Sequence, residues 1–576
     1  MKKLILMNNS KLQFFYIFIF FIINSLIGFI SLDYFSGEQY GYWYFNKIFT
    51  NEYLYPDISR SPVYVIYLTL FNWLGTPYNY LTESIITNLI LCISLFYLFR
   101  KKYNNFYIFL IIVLSIGFFF NLIPYPQALA LSFLNFALIL RTKKNFISDN
   151  LVYLLIILAI YCRITYIIVF ILFISFDLIR CFVYIKKNRI IKYHDFLSIF
   201  LALLLLYLSY SFFSEKKSPS KFNNGYFQSL KWKPSKSKSN IDIAFQVNFN
   251  YLYYEKYKDQ IDKDERDFYF TNKKAFNNSE TLIDSIKSNP RFVFWGIIKN
   301  STHIAPIILN KFNLRNFFPS CKNIGHSCYS NYIFISIVFI IFFLFNYYFF
   351  FKEKFENNFD IKSYAIVNYI LIASTVLAMP KIRYMAPFIF FLIPFNIYLI
   401  KSMTRVFKNR NFIKILSILI IFSFSFFNYT IEYLNKYLAI NNLNEKKFFL
   451  DEYSYNLSLM KSELKNCNNI LVSSPTFVLS NSNLNELNIF NLGDLPPYGN
   501  YNSENNLYIN NNLEINCILV DNSMLISSGA NRGTGTDFEI RRKNYLNPFI
   551  EFNKKNLKKI IDFGHIGKLH IYKAIL

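Results

Sequence analysis

The chain has 576 residues, of which 54% are hydrophobic, 20% aromatic and only 17% charged. About 25% charged residues is usual for a soluble domain, so this composition argues against an ordinary soluble protein. The formal net charge is +26, but the chain also carries 68 Phe and 46 Tyr. We therefore expect the basic excess to meet a membrane surface and not a nucleic acid.

Apolar stretches recur along the chain from residue 12 to residue 431. A helix needs about 20 mostly apolar residues to cross the hydrocarbon core, and we predict about eleven crossings. The first is too long for a signal peptide and lacks a small-residue cleavage site, so we expect it to remain as an anchor. The predicted spans are 12–31, 84–99, 106–123, 125–140, 150–162, 163–180, 195–213, 331–351, 361–378, 384–400 and 411–430.

Lys and Arg are concentrated in the loops on one side of this arrangement. They precede the first span and follow the second, fourth, sixth, eighth and tenth. Cytoplasmic loops retain Lys and Arg, so we predict a cytoplasmic amino terminus and a multi-pass protein of the inner (plasma) membrane. The outer, periplasmic or extracellular side then receives the loops 32–62 and 214–330, the turn from Lys381 to Arg383, and the tail 432–576.

Four of the seven cysteines fall on the predicted outer side, where disulfides persist. Two pairings are open there, Cys321 with Cys328 and Cys467 with Cys517, and free thiols are the alternative. A zinc site made by Cys321, His326 and Cys328 lacks a fourth ligand. The five histidines form no ligand cluster, so no metal ligand is assigned, and a divalent metal or other cofactor stays open.

The water-facing segments differ in character. Residues 214–240 are rich in Lys, Ser and Pro and predict a mobile basic loop, whereas residues 260–312 have the pattern of amphipathic helices. Gly529, Gly533 and Gly535 form a glycine-rich loop. No Gly-Lys-Ser/Thr follows them, so we expect a flexible loop between strands and not a nucleotide-binding loop.

The tail contains short β-rich segments separated by Asn, Gly and Pro turns. They are Asn469 to Ser473, Ile515 to Val520 and Lys568 to Tyr572. The predicted fold class is therefore a polytopic α-helical membrane protein with a transmembrane domain over residues 1–431. A small α/β domain over residues 432–576 is expected on its outer face.

The first outer loop carries the charges most suited to chemistry. Asp33 directly follows the first span, Glu38 lies about one helical turn later, and Arg60 precedes an apolar helix. A carboxylate at the membrane edge meets a low dielectric, which tunes its pKa and strengthens its attraction to a cation. The alternatives are that Asp33 merely ends a helix and that Glu38 is simply solvated.

Several motifs in this order resemble the GT-C superfamily of multispanning glycosyltransferases, relatives of protein mannosyltransferases and of the aminoarabinose transferase of lipid A. A long first span is followed by Gly37-Glu38-Gln39-Tyr40-Gly41-Tyr42 and by an Arg-x-Pro-x-Tyr motif, Arg60 to Tyr64. Many members carry adjacent acids after the first span, but Tyr34 follows Asp33 here, so the choice between Asp33 and Glu38 stays open. Further similar motifs are Arg163-Ile164-Thr165, Asn289-Pro290-Arg291-Phe292, Arg383-Tyr384-Met385-Ala386-Pro387 and the closing Gly567 to Tyr572.

The resemblance implies that a sugar moves from a polyprenyl-phosphate donor to a glycan, lipid or protein acceptor on the outer side. Glu38 or Asp33 would take the proton of the acceptor hydroxyl. Arg163 and Arg383, with Arg60 and Lys381 behind them, would stabilise the charge of the leaving lipid phosphate.

Arg163 is the preferred arginine because it interrupts an apolar stretch from 151 to 185, where ionisable residues are usually functional. Its alternative role is interfacial snorkelling toward lipid head groups. Tyr40, Tyr42 and Tyr64 are candidate sugar or acceptor contacts, although an aromatic membrane-interface belt also accounts for such residues.

Two other classes of protein fit part of this pattern. A transporter or flippase of lipid-linked glycans would also need many spans, but it should show an internal repeat with broken helices, and none is apparent. A protein of the O-antigen polymerase or ligase type would place its main outer loop late and lack a large folded tail.

Overall fold

The computed structural model describes the chain in parts. These are residues 37–53, 55–56, 61–75, 78–99, 125–141, 145–188, 193–213, 282–311 and 455–465, six strands, and residues 18, 249, 252–253, 256–257, 275–277, 279 and 467. Most of the first predicted span, the predicted span 106–123 and the four late spans between 331 and 430 lie outside these residues. So do the glycine-rich loop around Gly529 and the pair Cys321 and Cys328.

Helices dominate the described part of the chain. In chain order they are α1 (Gly37–Glu52), α2 (Pro62–Leu68), α3 (Tyr78–Phe99), α4 (Tyr125–Arg141), α5 (Phe146–Cys162), α6 (Ile167–Asn188), α7 (Tyr193–Phe212), α8 (Leu282–Ser288), α9 (Pro290–Lys311) and α10 (455–464). Short 3₁₀ helices, Thr69–Leu74 and Ile164–Tyr166, continue α2 and connect α5 to α6.

Two of these segments are long and apolar enough to cross a membrane, Tyr78–Leu98 and Ile164–Lys186. Shorter apolar helices of 10–17 residues are Pro62–Leu74, Pro126–Arg141, Phe146–Cys162 and Phe196–Phe212. Five of the predicted spans thus coincide with apolar helices, with shifted ends. The largest shifts are at α6, which ends eight residues after the predicted end at 180, and at α3, which begins six residues before the predicted start at 84.

Helix α5 lies at the centre of this bundle, in contact with α2, α4, α6 and α7. Its start is fixed by a capping box, in which the Asn145 side chain accepts a hydrogen bond from the Ser148 amide at 2.7 Å and the Ser148 hydroxyl accepts one from the Asn145 amide. Its end is fixed at Arg163, whose backbone is extended. Because α5 is apolar around most of its circumference, it can be buried against several neighbours at once.

Polar contacts identify the two ends of the bundle. At one end the Tyr161 hydroxyl donates to Ser209 Oγ at 2.7 Å, which joins the last turns of α5 and α7. At the other end Arg141 of α4 forms a bidentate ion pair with Asp177 of α6, at 2.6 and 3.1 Å. Arg163 and Arg141 therefore belong to opposite ends of the bundle, as the predicted topology requires.

Helix α7 presents an apolar surface that the described part of the chain leaves uncovered. Large hydrophobic side chains are exposed on most of its turns: Leu197, Phe200, Leu203, Leu204, Tyr207, Leu208 and Phe212. Large exposed apolar areas are unusual on proteins that meet only water. This surface has the character of one that contacts lipid hydrocarbon.

The tail forms a six-stranded sheet in the order β1-β3-β2-β4-β6-β5. The strands are β1 (Phe227–Gln228), β2 (Asn469–Val472), β3 (Asn488–Asn491), β4 (Cys517–Asp521), β5 (Leu557–Asp562) and β6 (Lys568–Lys573). The first four in the sheet pair in parallel, whereas β6 pairs antiparallel with both β4 and β5. The three predicted tail strands are present as β2, β4 and β6, and β3 and β5 are additional.

Strand β1 comes from the segment 214–240, which the sequence predicts as a basic loop. Phe227 and Gln228 instead align with Ile489 and Phe490 of β3, at one edge of the tail sheet. A two-residue strand carries little sequence signal, because its hydrogen bonds come from a partner about 260 residues away. The segment 214–240 and the tail are therefore joined in one sheet.

Helix α10 packs on this sheet through Leu457, Met460 and Leu464, which are spaced by three and four residues and buried. These three side chains belong to the same continuous apolar core as the helical bundle. A disulfide joins Cys467, which follows α10, to Cys517 at the start of β4. One of the two predicted cysteine pairings is thus present.

Candidate functional site

The structure describes some of the predicted site residues and not others. Arg163, Tyr42 and Tyr64 are described with their side chains, and Glu38 and Tyr40 lie in the first turn of α1. Asp33, Arg60, Lys381 and Arg383 lie outside the described residues, and their assignments stay predictions.

Arg163 lies in a break between two apolar helices. Its amide still donates to Ala159 O at 2.8 Å and so closes α5, while its carbonyl accepts from the Tyr166 amide at 3.0 Å and starts the 3₁₀ turn. Between these bonds its backbone is extended, with φ −152° and ψ 114°. This change of direction carries its side chain toward α1 instead of along the α5 axis.

The guanidinium of Arg163 lies over the ring of Tyr42, with 5.8 Å from Cζ to the ring centroid. A cation within about 6 Å of an aromatic face is attracted by the ring quadrupole. Tyr42 in turn meets Tyr64 edge to face, with centroids 5.2 Å apart. Three of the residues chosen from the sequence therefore lie together, although they come from α1, α2 and the α5 to α6 connection.

Burial separates this cluster from bulk solvent. Tyr42 and Tyr64 are 8% and 2% exposed, and the Nε and Nη2 atoms of Arg163 are buried. The hydroxyl of Tyr166, one turn after Arg163, is also buried and has no hydrogen-bond partner among the described residues. Electrostatic interactions are stronger in such surroundings than in water, so charge brought close to Arg163 would be held firmly.

Helices α1 and α2 hold the two tyrosines in place. Asn46 of α1 donates through Nδ2 to Val65 O of α2 at 2.8 Å, and both groups are buried. Helix α2 begins at Pro62, preceded by Ser61 in the left-handed conformation at φ 58°. Glu38 lies one turn before Tyr42, so these positions share one face of α1.

Lys47 lies two turns after Tyr40 on α1 and is partly buried. Burial, followed by repulsion from Lys461 of α10, lowers the pKa of the Lys47 amine from 10.5 to about 8. Two lysines that repel each other in this way must lie near one another. The helix that carries Glu38 and Tyr42 therefore passes close to the tail.

A carboxyl group that the sequence did not single out joins this cluster. Glu83 of α3 is fully buried, and the Tyr64 hydroxyl lies close enough to interact with its carboxyl group. The Thr87 hydroxyl donates to Glu83 Oε1 at 2.7 Å, and the Tyr67 hydroxyl lies 3.0 Å from Thr87 Oγ1. Since a hydroxyl has one proton, Tyr67 donates to Thr87 and Thr87 donates to Glu83.

A signal for Glu83 was available in the sequence. It is the only charged residue in α3, a helix of 22 residues. The predicted span began at residue 84 and thereby assigned Glu83 to the preceding loop. A start one turn earlier would have marked it as an ionisable residue within an apolar helix.

The Asn289-Pro290-Arg291-Phe292 motif has a structural role in the described part of the large outer loop. Asn289 Oδ1 accepts from the Phe292 amide at 3.2 Å, and Pro290 occupies the first position of α9. Asn289 Nδ2 also donates to Ala275 O at 3.0 Å. The motif therefore starts a helix and attaches it to a small apolar core around Phe249.

The described residues contain no group of three or more His, Cys, Asp or Glu able to hold a metal ion. The cluster contains the buried guanidinium of Arg163 over the ring of Tyr42, which packs against the ring of Tyr64. Tyr64 in turn lies close to the buried carboxyl group of Glu83. A planar guanidinium binds phosphate oxygens in bidentate fashion, and tyrosine rings pack against sugar faces. No family model and no curated protein matches this chain.

Proposed function

We propose that this protein is an integral membrane glycosyltransferase that moves a sugar from a polyprenyl-phosphate donor to an acceptor on the outer side of the membrane. The observation that carries the proposal is the position of Arg163 at a helix break, with its guanidinium over the ring of Tyr42, which in turn packs against Tyr64. A cation in this setting suits a lipid-linked phosphate arriving from the bilayer.

In the proposed reaction the bond between the sugar and the lipid phosphate breaks as the acceptor hydroxyl attacks the anomeric carbon. Glu38 or Asp33 takes the hydroxyl proton, and the lipid phosphate leaves with the bonding electron pair. Arg163 stabilises the negative charge on this phosphate, and Arg383, Arg60 and Lys381 are further candidates for the same task.

The proposal includes about eleven spans with the carboxy-terminal tail outside. The disulfide between Cys467 and Cys517 supports an outer tail, because disulfides persist in oxidising compartments. The exposed apolar face of α7 and the two membrane-length helices support the membrane assignment. The same arrangement assigns Arg163, Tyr42, Tyr64 and the first turns of α3 to the outer end of the bundle.

The test is transfer by the purified protein, reconstituted in lipid, with a polyprenyl-phosphate sugar as donor. Arg163→Ala should lose most transfer, about 10² fold or more if it removes a transition-state charge contact. Arg163→Lys should recover only part of the rate, because it keeps the charge but not the bidentate geometry.

Arg291→Ala is the matched control, since Arg291 is an exposed arginine on α9. It should transfer sugar at the wild-type rate. If Arg163→Ala folds, inserts and transfers sugar normally, the proposed phosphate role is wrong. In parallel, a strain without the gene should lack one sugar from its envelope glycans, and that sugar would name the product.

A further inference from the structure

We propose that Glu83 is a positioning residue of this site, which fixes Tyr64 and through it the Tyr42 ring that faces Arg163. The inference rests on the proposed function and adds a residue on a different helix from every predicted site residue that the structure describes. A fully buried carboxyl group in an apolar helix is costly, and Glu83 Oε2 has no hydrogen-bond partner among the described residues, so the presence of this group calls for a specific role.

The hydrogen bonds of Glu83 connect two helices at this end of the bundle. Tyr64 and Tyr67 both lie on α2, and Thr87 lies one turn after Glu83 on α3. Tyr67 reaches Glu83 Oε1 through Thr87, and Tyr64 lies close to the same carboxyl group. The carboxyl group thereby contacts α2 at two positions one turn apart, which restricts both sliding and rotation of that helix.

A rotation of α2 would change the position of the Tyr64 ring against Tyr42. The rings of Tyr64 and Tyr42 form a T-shaped pair, with a centroid distance of 5.2 Å and an interplanar angle of 88°. The face of Tyr42 carries the Arg163 guanidinium at 5.8 Å. A misplacement of about 1 Å within a reacting site can lower a rate about 10² fold, so a residue that orients these rings affects turnover without touching substrate.

The first experiment compares substitutions at Glu83 in the purified transfer assay. Glu83→Gln keeps the side-chain size but replaces one acceptor oxygen with an NH₂ donor, so the contacts of this group with Thr87 and Tyr64 cannot both be kept. We expect kcat to fall about 10 to 100 fold, while KM for the lipid donor changes less than about threefold. Tyr64→Phe keeps the ring against Tyr42, removes the hydroxyl that lies close to Glu83, and should give a similar loss.

The second experiment tests whether Glu83 acts through the other residues. The combination of Glu83→Gln with Tyr64→Phe should be no slower than the slower single variant, since both remove one connection. In an Arg163→Ala background, Glu83→Gln should lower the residual rate no further. If the rate losses of the two single variants multiply in either double variant, the positioning role is wrong.

Ser94→Ala provides the matched control. Ser94 lies on the same helix, 11 residues or about 16 Å beyond Glu83, and accepts a buried hydrogen bond from Asn135 Nδ2 of α4 at 2.8 Å. Its loss should leave kcat unchanged. An equal loss of activity in Ser94→Ala would mean that the bundle as a whole had loosened, and the inference would be wrong.

The outcomes for the inference and for the proposed function are distinct. If the wild type transfers sugar, Arg163→Ala does not, and folded Glu83→Gln retains normal kcat, then only the inference fails. If the wild type transfers no sugar from any polyprenyl-phosphate donor, the proposed function fails first. Should Glu83→Gln not fold, Thr87→Val and Tyr64→Phe carry the test, because each leaves the carboxyl group in place.

Discussion

At Arg163 the chain passes from helix to extended backbone and back to helix within four residues. A side chain within a continuous helix would stay on one face of its own helix. The break instead lets the guanidinium reach Tyr42 on α1. Local backbone geometry thus decides which residues this arginine meets.

The catalytic carboxylate is the residue on which the proposed reaction depends most. Glu38→Gln keeps size and hydrogen bonding but removes the base, so donor binding should survive while turnover falls about 10² to 10⁴ fold. Asp33→Asn is the companion variant, because either acid is able to serve as the base. Turnover is measured in the purified assay with a polyprenyl-phosphate sugar.

The pattern across the two variants identifies the base. If only Asp33→Asn is inactive, the two acids exchange roles and the proposed reaction stands. If both variants transfer sugar at the wild-type rate, the first outer loop is not the active site, and transport of lipid-linked glycans becomes the better hypothesis.

Lys47 predicts a pH dependence of stability with a definite sign. Its pKa is lowered to about 8 in the folded protein from 10.5, so between these values the folded state has lost a proton that the unfolded state keeps. The unfolded state then binds more protons, and the contribution of Lys47 to stability rises with pH across this window. Below pH 8 the Lys47 amine is protonated in both the folded and the unfolded state. Burial of its charge then destabilises the folded state by the full amount.

Lys47→Met should therefore stabilise the protein at pH 7, by about 1 to 3 kcal/mol, since one pKa unit corresponds to about 1.4 kcal/mol. The difference from wild type should vanish near pH 10.5. Thermal unfolding in detergent at several pH values measures it. Lys287→Met, at an exposed lysine of α8, serves as control and should show no such trend. A Lys47→Met variant less stable than wild type at pH 7 would contradict the stated environment.

Among the structural elements, the apolar helices are joined by few but specific polar contacts. Asn135 with Ser94 connects α4 to α3, and Arg141 with Asp177 connects α4 to α6, where the Tyr153 hydroxyl also donates to Asp177 at 2.6 Å. Such contacts contribute only about 0.6 kcal/mol each on average within a membrane, but they select one register of each helix pair.

The tail sheet depends on a different kind of connection. The disulfide from Cys467 to Cys517 closes a loop of 50 residues and attaches the end of α10 to β4. A crosslink of this span stabilises a fold by about 2 to 4 kcal/mol, mainly by restricting the unfolded chain. Cys467→Ser should make the tail markedly more sensitive to proteolysis, whereas Cys92→Ser, at a free buried cysteine of α3, should not.

Thiol labelling provides the direct measurement. In a Cys321→Ser, Cys328→Ser background five of the seven cysteines remain. The denatured protein should label at Cys92, Cys162 and Cys181 before reduction and at all five thiols afterwards. Labelling of five thiols without reduction would show that the bond does not form in the cell.

For the whole molecule, the orientation in the membrane is the central prediction. The contacts assign Arg163 and Arg141 to opposite ends of the bundle. With the basic loops in the cytoplasm, a reporter that is active only outside should be active when fused after Leu576 and inactive when fused after Arg141. The reverse pattern would overturn the orientation and with it the outer site.

Much of the element pattern could be predicted from the sequence. The long apolar runs in the described part of the chain are helices, and the break at Arg163 follows from a polar residue within such a run. The three β-rich segments of the tail are strands β2, β4 and β6. Strands β1, β3 and β5 were missed. The shortest of them, β1, owes its existence to a partner distant in the chain and not to its own residues.

The sequence by itself determined that this chain is rich in apolar helices, where several of them begin and end, and which arginine interrupts them. The tertiary structure decided that Arg163 lies over Tyr42, that Tyr64 connects this pair to Glu83, and that Cys467 pairs with Cys517. The physical reason is that helix formation is local, since each backbone bond spans four residues. Packing brings together residues more than a hundred positions apart, and no local pattern encodes which of them will meet.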